Sequence, residues 1–238
     1  RAVVIVVAGY LRRIAQAGAH CAAREAEVED AAEGGQREAQ QHLTAGGEAS
    51  HRRGGAGFPV GTKWRSVASA GSSRRYVVAN GAEGEPGTFK DRPLMRQNPY
   101  AVVEGLLISA VAVSATDAYL ALKASFVPEL EAVRRALAEA EAAGWLGDIT
   151  VTVATGPEEY LFGEEKALLE VIEGNEPLPR WLPPYLHGLF ATAPQLGWES
   201  SDVYPDDPVT QGSNPTLVNN VESLAQVAWL MNHGVDDF

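Results

Sequence analysis

The sequence predicts an α/β fold, a parallel sheet with helices on both faces. Two observations carry this. Short apolar runs of strand length alternate with longer segments of helical period between residues 75 and 174. Strands and helices that alternate in this way pair in parallel, because each helix returns the chain to the start of the next strand. Glycine-bearing acidic loops also follow the first and third of these runs, where open sheets of this kind bind their ligands.

Residues 1–51 form a separate helical or irregular segment, rich in Ala, Glu, Arg and Gln and broken at Gly34-Gly35 and Gly46-Gly47. One or two surface helices with a loose connector suit that composition. The apolar run Ala2–Leu11 is shorter than the ~20 residues that span a bilayer and has no basic leader, so no direct membrane insertion is expected. Opening on Arg1 instead of Met suggests a fragment or a trimmed terminus. Residues 52–238 then read as one domain.

Arg75–Asn80 is the first strand. Asn98-Pro99 opens a helix, with asparagine as cap and proline in the first turn, and this helix runs to about Ala115. Val102, Val103, Leu106, Leu107, Ile108 and Val111 make it apolar almost all round, as a buried helix would be. Ala118–Lys123 is the second strand. The helix starting near Pro128 stops at Gly144. Ile149–Ala154 is the third strand, and the helix after it, from about Gly163 to Glu173, stops at Gly174. A last helix is expected over Leu217–Asn232, with an apolar stripe at Val221, Leu224, Ala228 and Trp229.

Three loops carry chemistry. "NGAEGEPG" follows the first strand with Glu83 and Glu85; "TGPEEYLFGEE" follows the third with Tyr160, Glu164 and Glu165. On one sheet edge these carboxylates line one cleft, where they can accept hydrogen bonds from ligand hydroxyls while glycines let the backbone approach a flat ring. "RRGGAGFPVGTKW", Arg52 to Trp64, offers backbone N–H groups at Gly54, Gly55, Gly57 and Gly61 and a cation at Lys63, which together suit an anion. Its spacing fits neither a Walker loop nor a dinucleotide fingerprint. Singly, each is as well read as a plain glycine-rich or solubilising loop. Three in one chain point to a nucleotide-like ligand.

The formal net charge is −12. With Lys and Arg unclustered, this excludes nucleic acid as a partner and suits docking on basic partners. A single cysteine, Cys21, excludes a disulfide framework and a cysteine-only metal site. The histidines show no metal-ligand spacing, and no Ser-His-Asp arrangement is visible. Trp181 and Trp198, in a proline-rich segment, read as packing residues.

In order along the chain, "RGGAGFPVGTKW", "NGAEGEPGTFKDR", "YLFGEEKALLEVIEG" and "PTLVNNVESLA" resemble the flavin-bearing, NADH-binding subunit of respiratory complex I, from about Arg53 to Leu230. The resemblance implies a Rossmann-like domain holding FMN with NADH against it, acting as an NADH dehydrogenase (quinone)-type oxidoreductase subunit. Carried across by motif, FMN would contact Gly54, Gly55, Lys63, Asn80, Glu83, Tyr160, Gly163, Glu164, Asn219 and Asn220. The nicotinamide nucleotide would use Arg53–Phe58, including Gly57 and Phe58, together with Glu85, Glu165 and Tyr185. Glu85 and Glu165 are the catalytic candidates. The family's β-grasp domain and four-cysteine iron–sulfur segment have no counterpart here, so an iron–sulfur cluster in a further segment or a partner subunit would receive the electrons. A cytoplasmic location follows, with any hold on the inner membrane made through partner subunits.

The chain departs from the family pattern at several points. Ala82 replaces an aspartate, Arg52 a glycine, Ser66 an aromatic and Leu182 a lysine, and residues 186–214 exceed the family's connector. These changes leave a second expectation open: a flavin- or nucleotide-binding subunit of a redox complex that has lost turnover.

Overall fold

The computed structural model describes residues 60–72, 74–192 and 212–233. The readings made on residues 1–51, on Gly54, Gly55, Gly57 and Phe58, and on most of 186–214 lie outside them. The elements run α1 (Val60–Ser69), β1 (Tyr76–Asn80), α2 (Asp91–Gln97), α3 (Pro99–Ala112), β2 (Asp117–Lys123), α4 (Val127–Ala142), β3 (Thr150–Gly156), a 3-10 turn (Tyr160–Gly163), α5 (Glu165–Ile172), β4 (Thr216–Asn220) and α6 (Val221–His233). The strands form one parallel sheet in the order β3-β2-β1-β4.

Period-two alternation divides the sheet's side chains between two cores. Val77, Ala79, Leu120, Leu122 and Leu217 pack with α1, α3, α4 and α6 in the larger one. Tyr76, Val78, Ala121 and Val218 pack with Phe162, Leu168 and Leu169 of the 3-10 turn and α5 in the smaller one. Helices thus cover both faces, as the alternation predicts.

The cap at Asn98 is real: its side chain accepts from the N–H of Ala101. Gly144 and Gly174, both at positive φ, follow the ends of α4 and α5. Two readings need correction. Leu217–Asn220 belongs to β4 and its carboxyl end, so Asn219 and Asn220 are not in a helix's first turn. The strand passes into α6 without a turn residue between them, which is why its sequence reads as one helix. Trp181 is 64 % exposed. The inward position beside it belongs to buried Arg180, which donates to Glu170 (2.7 Å) and Gly188 O (2.8 Å) and pairs with Glu173. Trp198 lies outside the described residues.

Helix α3 also hides an acid. Glu104 is buried and accepts one hydrogen bond, from Asn232 of α6 at 3.1 Å. Burial raises its pKa above the ordinary carboxylate range, with the Asn232 bond opposing. A carboxyl whose folded pKa is raised stabilises the fold below its unfolded pKa, and that contribution is lost as pH climbs through the folded value. Glu104→Gln is therefore expected to raise the neutral-pH melting temperature by a few degrees. It should also flatten the decline in stability as pH rises from the ordinary carboxylate range through the raised pKa. An unchanged pH profile in thermal melts would count against this burial cost.

Candidate functional site

Most of the predicted site residues in the described part of the chain come together at the carboxyl ends of β1, β3 and β4. Asn80, the last residue of β1, donates to Gly163 O at 2.9 Å and accepts from Ala82 N at 3.1 Å. It thereby fastens the loop after β1 to the 3-10 turn after β3. The two backbones run so close that a Cβ on Gly163 would stand 3.2 Å from Ala82 O, and it would meet nothing else within 4 Å. Beyond Ala82 O, the space in front of Gly163 is open.

Glu83 turns inward on its own chain. Its carboxylate accepts from the backbone N–H groups of Lys90 (2.7 Å), Asp91 (3.0 Å) and Arg92 (3.3 Å), the unsatisfied donors at the start of α2. Glu164 does the same for α5, accepting from Lys166 N and Ala167 N at 2.8 and 3.0 Å. Both acids complement the positive ends of helices. In this conformation they shape the cleft.

Lys63 and Trp64 come from α1. Lys63 pairs with Glu165, the first residue of α5, and donates to Val218 O of β4 at 3.2 Å. Trp64 donates its indole N–H to Asn219 Oδ1 at 3.2 Å. The glycine-rich loop therefore leads into a helix whose first turns are sewn to the end of β4. Helix α1 was missed because Gly61 and the preceding glycines make Val60–Ser69 read as loop.

Asn220 sits in a tight polar knot. It donates to Asp91 Oδ2 at 2.7 Å and accepts from Lys90 Nζ at 2.9 Å and Glu222 N at 3.0 Å. Asp91 is 2 % exposed; burial raises its pKa, with hydrogen bonds from Lys90 and Asn220 opposing. Burial also disfavours the charge on Lys90, but Asp91 and Glu222 outweigh it and its pKa rises. Arg92 reaches Glu129 of α4 at 2.9 Å and stacks on Phe126. The "KDR" after the acidic loop thus anchors three elements. Its sequence signal was charge at a buried helix start, which reads as surface without a structure.

Tyr160 is 60 % exposed, and its hydroxyl donates to Glu85 Oε2 at 2.7 Å. That bond raises the Tyr160 pKa. It spans from the first acidic loop to the second. Tyr185 lies half-buried against the larger core. Among the described residues, then, the site offers carboxylates at Glu85 and Glu165, a cation at Lys63, amides at Asn80 and Asn219, and the open space at Gly163. This donor set suits a hydroxyl-rich, phosphorylated ligand with a flat ring.

Comparison with known proteins agrees with this chemistry. Residues 51–229 match the family described as the Nuo51 FMN-binding domain. An NADH-quinone oxidoreductase subunit of Streptomyces coelicolor is 39 % identical over 196 residues, covering 78 % of this chain and 39 % of that protein. The corresponding NADH-quinone oxidoreductase subunit of Escherichia coli is 39 % identical over 195 residues, 77 % of this chain and 39 % of its own length. The chain thus spans about two fifths of the length of these relatives. Among solved structures, an NAD+-reducing [NiFe]-hydrogenase in the air-oxidized state superposes with a TM-score of 0.67 at 33 % identity, covering 85 % of this chain and 31 % of that one. The H2-reduced state of such a hydrogenase gives 0.68 at 34 %, covering 85 % and 32 %.

Proposed function

The chain belongs to the family of Nuo51 FMN-binding domains, and from that premise we propose that it holds FMN at the carboxyl edge of its sheet and receives hydride there from NADH. One observation carries the reading: Lys63, Glu165, Asn80, Asn219 and the bare Gly163 converge on that edge from five separate elements. The residues fit the cofactor. A side chain at 163 would enter the open space that a flat ring needs, and the amides and carboxylates beside it match ribityl hydroxyls. Lys63, behind the glycine-rich loop, supplies charge for the phosphate.

When bound, FMN takes up two electrons as hydride and can release them one at a time. The chain's own groups bind and orient. Glu85 and Glu165 hold the dinucleotide's ribose hydroxyls, and Tyr160, bridged to Glu85, steadies that side of the cleft. An iron–sulfur cluster held by a partner subunit or by a further segment of the same protein would be the acceptor. A second reading, binding without turnover, draws support from Ala82. Its methyl is 1 % exposed in the smaller core, where the family carries an acceptor. Purified protein that is yellow, releases FMN and bleaches anaerobically with NADH supports the first reading. Flavin that NADH leaves oxidised selects the second, and protein that takes up no FMN removes both in this form.

NADH should be preferred over NADPH. Glu165 is offset by Lys63, so Glu85 is the main charge opposing a 2′-phosphate. Glu85 is exposed, so water screens the repulsion, and NADPH should reduce the flavin roughly fivefold less efficiently. Glu85→Gln should narrow that ratio more than Glu165→Gln does. Equal stopped-flow bleaching by the two nucleotides would refute the role of Glu85.

A further inference from the structure

Lys123 closes β2, an inner strand flanked by β1 and β3, and is 6 % exposed. One hydrogen bond and the geometry of the two loops define its position beneath them. Its Nζ donates to Glu158 O at 3.0 Å. A Cβ on Gly84 would stand 3.3 Å from that nitrogen and 3.7 Å from the Tyr160 ring. The Tyr160 hydroxyl, two residues beyond Glu158, reaches Glu85, the neighbour of Gly84. Lys123 therefore lies against both loops of the bridge, bonded to the backbone two residues before Tyr160 and next to Gly84, the neighbour of Glu85.

Its electrostatics are unusual for a buried cation. Arg180, also buried, is matched by Glu170 and Glu173, whereas the hydrogen-bond partner of Lys123 is a neutral carbonyl. The loops above it carry Glu83, Glu85, Glu158, Glu159, Glu164 and Glu165. Among the described residues none of these carboxylates pairs with Lys123, so its charge acts on the loops as a group, through the Glu158 carbonyl and at longer range. Because it serves the loops as a group, its charge and the carbonyl bond should matter together.

We propose that Lys123 is a positioning residue for the dinucleotide: it sets the Glu85–Tyr160 bridge without touching the ligand. The proposal rests on the FMN and NADH reading above. The test separates the two by measuring FMN affinity from quenching of flavin fluorescence, then NAD+ affinity of the FMN-loaded protein from flavin absorbance. Wild-type protein that binds neither overturns the functional reading, whatever Lys123 does.

Given wild-type binding, Lys123→Met should leave FMN affinity within about threefold and weaken NAD+ roughly tenfold, the size expected of a broken local network. Lys123→Arg, which keeps the charge, should recover part of the loss. Tyr160→Phe should weaken NAD+ in the wild type but add little on the Lys123→Met background. Unchanged NAD+ affinity in Lys123→Met overturns the proposal. So do equal losses of FMN and NAD+ affinity, equal behaviour of the Met and Arg variants, or fully multiplicative effects with Tyr160→Phe. If circular dichroism shows Lys123→Met unfolded, Gly84→Ala decides, since its methyl presses on the ammonium from 3.3 Å. It should weaken NAD+ selectively, and wild-type affinity there overturns the assignment.

Discussion

Lys63→Ala is expected to weaken FMN retention roughly thirtyfold or more, the scale on which truncating one partner of a partly buried charge pair acts. Two losses combine. The cleft loses its cation for the phosphate, and Glu165 loses the partner that offsets it beside Glu164. The Lys63 side chain is only 17 % exposed, so water screens this pair less than a surface one. Glu165→Gln separates the two losses. It removes the carboxylate and leaves the ammonium free, so FMN should be held as well as or better than before while NADH binding falls. Arg134→Ala, on the exposed face of α4, serves as the charge control and should leave FMN binding unchanged. Flavin fluorescence titrations of the three variants check the pattern. Wild-type FMN affinity in Lys63→Ala would place the phosphate elsewhere.

How far this site could be read from sequence depends on how local each signal was. Strands β1 to β3 were legible within two residues, because apolar runs stop at Asn80, Lys123 and Gly156 and the helices between them carry their own caps and stops. Strand β4 was not legible, because Asn220 ends the strand and Val221 starts the helix with nothing between. Helix α2 was missed because it has 7 residues, with Pro93 among them, and its start is capped from Glu83 seven residues back. Motif resemblance named Glu83 and Asn220, and the sheet does bring them to the site's edge. The bonds that tie them to α2 were beyond it, because they cross 7 to 130 residues of chain. The same distance hid Lys123, which in sequence is the polar end of an apolar strand.

A large stability loss is expected at Gly105→Ala, on the face where α3 meets α6. A Cβ there would lie 2.0 Å from Leu224 O and 2.4 Å from its carbonyl carbon. These are backbone atoms of α6, so no side chain can rotate away and the helices must part. Glycine inside a helix costs roughly 0.5–1 kcal/mol relative to alanine, so propensity alone would make this substitution stabilising. The clash outweighs it. Forcing volume into a packed core costs about 1–3 kcal/mol and more where backbone must move, which lowers the melting temperature by roughly 6 °C or more. Gly144→Ala is the contrast: it strains a residue at φ +74° with no neighbour within 4 Å, for about 1 kcal/mol. A melt of Gly105→Ala that matches Gly144→Ala would mean that α3 and α6 do not pack backbone to backbone. The damage should also reach the site, because α6 starts at Val221, directly after Asn219 and Asn220. FMN at a hundred times its Kd adds about 2.7 kcal/mol to any protein that binds it, wild type included, so it does not close the gap. Gly105→Ala should therefore melt below wild type even when saturated with flavin, and should need more flavin to saturate.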